Sequence, residues 1–434
     1  MAIEQIFFEL IRVAIGTQVS LSRKLCAGEW KTLYEMAKKQ SLVGICFAAV
    51  QRLPEDMRPS EMLYLTWMGM AAKIQQRNEV VNKQCVEVQD KLSSDDIRSC
   101  VLKGQGVATL YGDMKLLRQS GDIDLWVPGD YKKTIDYVRL SQLECSVVAN
   151  HIVWDLFADT EVEVHPIPAI FRNPFTNRKW KKFCKEHETE CMTNKVCLYD
   201  NDDDNDNTGI SVPTTEFNLV FLMVHMYQHL LREGIGLRQF LDYYFVLRNF
   251  QQVSKLDKKG SAKKAVLTKT EKTAAVSAGS QIEPLANDCS PEIVSVLSSS
   301  ANHSYATLLG SADTSAKNIK NIVDQIDKLG MKRFAAGLMD ILHNVFGMPE
   351  EELLCEPDPE IGAMLLEEIL TGGNFGHYDE RNKVAFDNES NPVHRVWNGM
   401  KRNRRFLKYG FWEIVWSPIW RLWHFCWMKI NGYR

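Results

Sequence analysis

Apolar positions recur at helical spacing through residues 1–97: Phe7, Leu10, Ile11 and Ala14, then Leu33, Met36 and Ala37, then Ile45, Ala48 and Ala49. Pro54 and Pro59 punctuate a loop, and Ser60 with Glu61 opens a long helix that runs to about Leu92. The period then changes. Short apolar runs with β-branched and aromatic residues predict strands over 99–102, 123–127, 146–149, 151–157, 161–165 and 196–199, with helices over 106–117 and 129–140. Helical spacing returns at Thr214, breaks near Gly234-Ile-Gly236, and resumes from Ile322 to Phe346. The stretch 251–317 is rich in Ser, Ala, Lys and Thr with almost no aromatic residues, so it is expected to be a disordered insertion. The pattern predicts an α+β chain in four parts. A helical region spans 1–97, a mixed sheet with helices spans 98–213, a C-terminal helical region spans 214–250 and 318–434, and the insertion spans 251–317.

Composition narrows the picture only a little. The 434 residues suffice for two or three domains, and 45% hydrophobic with 25% charged residues is ordinary for a globular chain. A net charge of −3 gives no general attraction to nucleic acid. The 11 cysteines show no regular spacing, which predicts reduced thiols and a cytoplasmic protein. The N-terminal segment carries Glu4 and Glu9 and lacks a basic start, so it reads as an amphipathic helix and not a leader. There is no uncharged apolar run of the roughly 18 residues that a membrane span requires.

The chemistry concentrates in VLKGQGVATLYGDMKLLRQSGDIDLWV, residues 101–127. In a strand, Asp122 and Asp124 project to one face, where two carboxylates repel unless a cation lies between them. A divalent metal is the natural partner. Gly104, after Lys103, lets backbone approach a phosphate at the start of the next helix. A third carboxylate is offered by Glu161-Val-Glu163-Val-His165, whose alternate residues share a face; Glu163 lies deeper in the run and is preferred to Glu161. Lys103 and Arg118 suit a triphosphate as a point charge and a fork, although Arg118 could instead pair with Asp122 or Asp124.

Other constellations carry less. His225 and His229, like Arg238 and Asp242, are four apart on helices and share faces, either as a polar helix contact or as the second wall of a cleft. Cys184, His187, Cys191 and Cys197 lack the paired spacing of zinc ligands and read as core thiols. The acidic run 200–207 lacks the glycine and closing glutamate of a calcium loop and reads as a solvated hairpin tip. The tail after residue 398 mixes Arg402, Arg404 and Arg405 with tryptophans, so it either docks on the core, lies on a membrane surface or stacks on nucleic acid.

Taken together, LKG, Tyr111, Arg118, DIDLWV and VEVH resemble a bacterial family of uncharacterised nucleotidyltransferases within the polymerase-beta-like superfamily. The likeness continues through His225, His229, GIGLRQFLDYYFVL and KLGMKRFAAGLMDILHNVFGM. It implies a two-metal transfer, usually with Mg²⁺ (or Mn²⁺), of a nucleoside monophosphate from a nucleoside triphosphate to an acceptor hydroxyl of a small molecule, sugar or protein. Asp122 and Asp124 would hold the metals. Glu163 would ligate the metal that activates the acceptor or act as its base, and the backbone at Gly104 would hold phosphates. Many members carry serine after that glycine where this chain has Gln105. The bound-nucleotide set is accordingly Lys103, Gly104, Gln105, Arg118, His165, His225, His229, Arg238 and Asp242. A nucleic-acid acceptor is disfavoured by the charge. The alternatives are a catalytically silent module that keeps nucleotide and metal, or a membrane-surface adaptor working through the tail.

Overall fold

The helical N-terminus forms where the pattern predicts it, because each helix has an apolar stripe to bury. Helices α1 (Ile3–Ile15), α2 (Ala27–Lys39) and α3 (Val43–Arg52) pack through Phe7, Leu10, Leu33 and Ile45. The 34-residue α4 (Glu61–Ser94), about 51 Å long, then runs on to the sheet. Its buried Trp67 donates its indole N–H to the Val43 carbonyl oxygen at 2.8 Å. Further along, Val81, Cys85, Val88 and Leu92 form one side of the sheet's core.

The computed structural model of the chain describes residues 2–140, 145–148, 151–199, 209–274, 312–380 and 401–431. Strand β1 (Cys100–Leu102) leads into the short helix α5 (Gly104–Ala108) and a tighter helical stretch, Thr109–Leu117. Then follow β2 (Ile123–Trp126), α6 (Tyr131–Leu140), β3 (Cys145–Val147), β4 (Ile152–Trp154) and β5 (Val162–His165). The sheet order is β1-β2-β5-β4-β3, with β2 and β5 parallel and the other neighbours antiparallel. This mixed sheet between helices is the expected α+β class.

Strand periodicity divides the residues by face. Ile123, Leu125, Val162, Val164, Ile152 and Trp154 meet α4 and the α6 residues Ile135 and Val138 in one core. Asp124, Glu163 and His165 therefore take the other face. After α7 (Pro174–Thr193), β6 (Lys195–Cys197) pairs with β7 (Gly209–Ser211). The pattern gives no hint of β7, which has little alternation; Gln89 of α4 secures it by accepting the Ser211 N–H at 2.8 Å. The acidic run 200–207 lies outside the described residues.

Helix α8 (Thr215–Arg232) covers the site face of the sheet, stacking Phe217 on Trp126 at 5.3 Å between ring centroids. The Gly234-Ile-Gly236 turn separates it from α9 (Leu237–Ala274). Helix α10 (Ala312–Lys328) precedes α11 (Lys332–Asn344), α12 (Pro359–Gly372) and α13 (Leu407–Ile430). Gly330, at φ +75°, breaks what reads in the sequence as one continuous helical period. Met1–Arg248 and Ile322–Arg434 form one unit, and Asn249–Asn321 a second. Within the stretch expected to lack structure, helix reaches Ala274 and restarts at Ala312; residues 275–311 lie outside the described set.

The turn after α8 has a visitor from far along the chain. Gly234 (φ +135°) and Gly376 (φ +68°) meet so closely that a Cβ on Gly234 would lie 2.7 Å from the Gly376 backbone. That contact sets Phe375 over His229, with ring centroids 5.0 Å apart.

Candidate active site

Parallel pairing of β2 with β5 puts Asp124 directly opposite Glu163 and Trp126 opposite His165. On the far side of β5, Ile152 pairs with Val164, so one more residue of that register sets His151 beside His165. Their rings lie 5.3 Å apart. Ligand atoms of Asp122, Asp124 and Glu163 fall within 4.8 Å of one another, as do those of His151, Glu163 and His165. These are two donor groups able to hold metal, and they share Glu163.

The charges explain what holds the acids together. Asp124 is buried, which opposes ionisation, yet Lys103 and His165 hold its carboxyl well below the usual range. Its Oδ2 meets Lys103 Nζ at 2.8 Å and its Oδ1 meets His165 Nε2 at 2.9 Å. His165 also lies 3.2 Å from Glu163. Burial would lower the His165 imidazolium, but hydrogen bonds to Asp124 and Glu163 raise it to about 9. Burial likewise opposes the Lys103 charge, and Asp124, Asp122 and Glu163 outweigh it. Asp122 is the most solvent-accessible of the three acids, and the Asp124 charge, with desolvation, pushes its carboxyl up. Two cations thus leave the repulsion of three carboxylates only partly relieved, and the donors are oxygens of the kind a hard divalent cation takes. The residues fit such a cation.

Lys103 reaches Asp124 from a backbone at φ +54°, an uncommon conformation for a side-chain-bearing residue. Its Nζ also lies 3.4 Å from His225 Nε2. Burial and the Lys103 charge hold the half-buried His225 well below its ordinary value, so it is neutral. His229 stacks edge-on against His225 at 4.3 Å and pairs with Glu233 at 3.3 Å.

These groups line a cavity of about 1010 Å³, at the upper end of the roughly 300–1,000 Å³ typical of small-molecule sites. Its floor is Lys103, Gly104, Asp122, Asp124, His151, Glu163 and His165; its walls include His225, His229, Arg232 and Arg238; and Phe375, Gly376, His377 and Asp379 form part of its rim. Arg238 donates to the Gln119 carbonyl oxygen at 2.5 Å, but its Nε is buried without a partner. Burial and the nearby Arg118 lower its guanidinium, the mark of a cation short of anions.

A family model described as uncharacterised nucleotidyltransferase matches residues 27–273, more than half of the chain. The chain belongs to that family. No curated protein and no solved structure matches it. The family match takes in the whole donor set and the α8–α9 turn, and it stops short of the rim at Phe375.

Within this member of the family, the structure brings together Asp122, Asp124, Glu163, His165, Lys103, Gly104, His225, His229 and Arg238. Glu161 stays exposed and outside the cavity lining. Arg118 and Asp242 reach the wall but engage each other: Arg118 Nε and Nη2 donate to Oδ1 and Oδ2 of Asp242 at 2.7 and 2.8 Å, and Tyr111 Oη donates to Oδ1 at 2.7 Å. The carboxylate partner of Arg118 is therefore Asp242 and neither Asp122 nor Asp124. The Gln105 side chain turns away from the cavity, donating to Asn78 Oδ1 at 3.3 Å and to Asn82 Oδ1. His151 was missed by sequence reasoning, because only strand pairing brings it to Glu163. Neither His225 nor His229 joins a metal-capable group among the described residues; Cys184 and Cys191 are buried free thiols, but Cys197, expected in the core, is exposed on β6.

Proposed function

We propose that this cavity transfers a nucleoside monophosphate from a nucleoside triphosphate to a hydroxyl of a small molecule, sugar or protein. The convergence of Asp122, Asp124 and Glu163 from two paired strands onto one cavity carries the reading. Asp122, Asp124 and Glu163 would hold Mg²⁺ or Mn²⁺. Bound there, the cations would supply charge neutralisation at the phosphates and acidify the acceptor hydroxyl. Lys103, the counter-charge of Asp124 in the free protein, would pass to the phosphates when cations take its place. Arg238 would meet phosphate with its unpartnered guanidinium edge. Neutral His225, with His229 and Phe375, would shape the far wall where base or acceptor sits.

The test is calorimetric titration of each nucleoside triphosphate with and without Mg²⁺, on wild type and on Asp122→Asn/Asp124→Asn. Metal-dependent binding lost in the double variant supports the reading, and labelled triphosphate with cell extract then seeks the acceptor. Binding that ignores both metal and substitution sinks it; binding without product in any extract would favour the silent module.

A second reading concerns α13. Phe411, Trp412, Val415, Ile419, Leu422 and Trp423 are between 43% and 68% exposed, too much apolar surface on one helix to be explained by core docking. Lys408, Arg421 and Lys429 accompany them on the same helix. We propose that this face rests on an anionic lipid surface. Among the described residues no helix is long and apolar enough to cross a membrane. The buried Glu413 accepts the backbone N–H groups of Arg172 and Asn173, so truncation would disturb the fold. Trp412→Ser/Leu422→Ser/Trp423→Ser is the cleaner probe. Co-sedimentation with anionic liposomes equal to wild type would reject the idea.

A further inference from the structure

The carboxylate group explains Asp122, Asp124 and one use of Glu163. It leaves His151 without a task and uses His165 only as a counter-charge, although both border the same cavity. We propose that His151, Glu163 and His165 form a second metal site, built for a borderline transition-metal dication such as Zn²⁺, beside the carboxylate site and sharing Glu163 with it.

Geometry carries this. Glu163 Oε2 lies 3.3 Å from His151 Nδ1 and 3.2 Å from His165 Nε2, so one carboxylate oxygen faces two imidazole nitrogens. The His151 Nδ1 is shut off from solvent and forms no hydrogen bond despite that approach. A nitrogen aimed at a carboxylate without bonding to it has the placement of a ligand whose partner would sit between them. Asp124 offers a fourth donor: its Oδ1 is 2.9 Å from His165 Nε2, while its other oxygen, Oδ2, faces Lys103. Once His165 releases its Nε2 proton to solvent as the cation binds, two imidazoles and one or two carboxylates make a donor set familiar for zinc, in contrast to the all-oxygen set of Asp122, Asp124 and Glu163.

The strands supply the rigidity that a metal site needs. Glu163 and His165 are alternate residues of β5, and His151 stands one residue before β4, which pairs antiparallel with β5. Glu163 and His165 are fixed by strand pairing, and the His151 carbonyl oxygen accepts the Val148 N–H at 2.9 Å where the chain enters β4. The shared Glu163 ties this inference to the nucleotidyl-transfer reading, since the two sites would give one hard and one borderline cation. Zinc binding at the histidines can nevertheless be judged without any nucleotide.

The experiment uses the full chain stripped with chelator and dialysed into excess Mg²⁺, which fills hard oxygen sites. Zn²⁺ is then titrated by calorimetry into wild type, His151→Gln and Asp122→Asn. We expect one Zn²⁺ per wild-type chain. Affinity should fall at least about tenfold in His151→Gln, by analogy with the loss on disturbing metal-site residues, and change little in Asp122→Asn. Circular dichroism establishes that His151→Gln is folded. X-ray absorption at the zinc edge of the wild type gives a readout that needs no variant: scattering from two imidazoles is expected. Oxygen-only coordination, no Zn²⁺ uptake over Mg²⁺, or equal affinity in His151→Gln would each overturn the proposal. Zinc uptake intact alongside nucleotide binding indifferent to Mg²⁺ would uphold it while removing the transferase reading.

Discussion

Replacing Asp242 with asparagine asks whether the wall of the cavity is held by an internal ion pair or by a residue reserved for substrate. In the folded chain the Asp242 carboxylate receives three hydrogen bonds at 2.7 to 2.8 Å, two from Arg118 and one from Tyr111. The Arg118 and Asp242 side chains are only 4% and 6% exposed, so solvent cannot compensate a lost charge. Asparagine keeps the shape but removes the charge and one acceptor oxygen, leaving a guanidinium buried and unpaired. Breaking one side of such a pair costs roughly 3–5 kcal/mol. Arg118→Met should cost a similar amount for the mirror reason. The double variant should cost clearly less than the sum, because neither charge remains to be stranded. Tyr111→Phe, which removes one hydrogen bond to a charged group, should cost about 1.5–3 kcal/mol. Equilibrium urea unfolding followed by tryptophan fluorescence reads all four. Single variants each within about 1 kcal/mol of wild type, or strict additivity, would refute the pairing and return Arg118 and Asp242 to the substrate.

Three further outcomes follow from the same site. His165 has its imidazolium raised from 6.5 to about 9, so its stabilisation of metal-free protein is full below pH 6.5 and is lost as pH rises through about 9. At about 1.4 kcal/mol per pH unit the most this can amount to is about 3 kcal/mol, and chelator-treated His165→Gln should show a flatter stability between pH 6 and 9.5; an unchanged slope would contradict it. Gln105→Leu should cost about 1–3 kcal/mol by stranding Asn78 and Asn82 while leaving nucleotide affinity unaltered, since its side chain points away from the cavity; weakened nucleotide binding in a folded variant would contradict that placement. Gly44→Ala should cost about 1–3 kcal/mol in thermal unfolding, because its Cβ would run into the Leu117 backbone, one residue before Arg118; a neutral result would mean that α3 can shift.

Much of this was legible in the chain, and the failures share a cause. The floor could be read because strand periodicity is local: Asp122-Ile-Asp124 and Glu163-Val-His165 each declare their shared face within three residues. The class of fold was legible for the same reason, from a helical period that gives way to short apolar runs and then returns. Partners set by long-range packing were not. Arg118 has two aspartates among the six residues that follow it, yet its partner lies 124 residues away on α9. Gln105 follows the glycine of the expected phosphate turn, but one helical turn swings its amide onto α4. His151 sits in a run that reads as a longer strand, 151–157, while β4 ends at Trp154; its proximity to Glu163 exists only after β4 pairs with β5. Nothing around Phe375 or His377 marks them as cavity residues.

The contact between Gly234 and Gly376 makes the cavity a joint product of two parts of the chain. Every floor donor and the α8–α9 turn fall within residues 27–273, the stretch shared with the nucleotidyltransferase family, whereas Phe375, Gly376, His377 and Asp379 come after it. A substitution at Phe375 or His377 would reshape the opening without moving a single strand residue. Under the transfer proposed above, reaction and selection would be separable: the sheet would carry the exchange, and a short downstream segment, anchored glycine to glycine, would trim the space left for the acceptor.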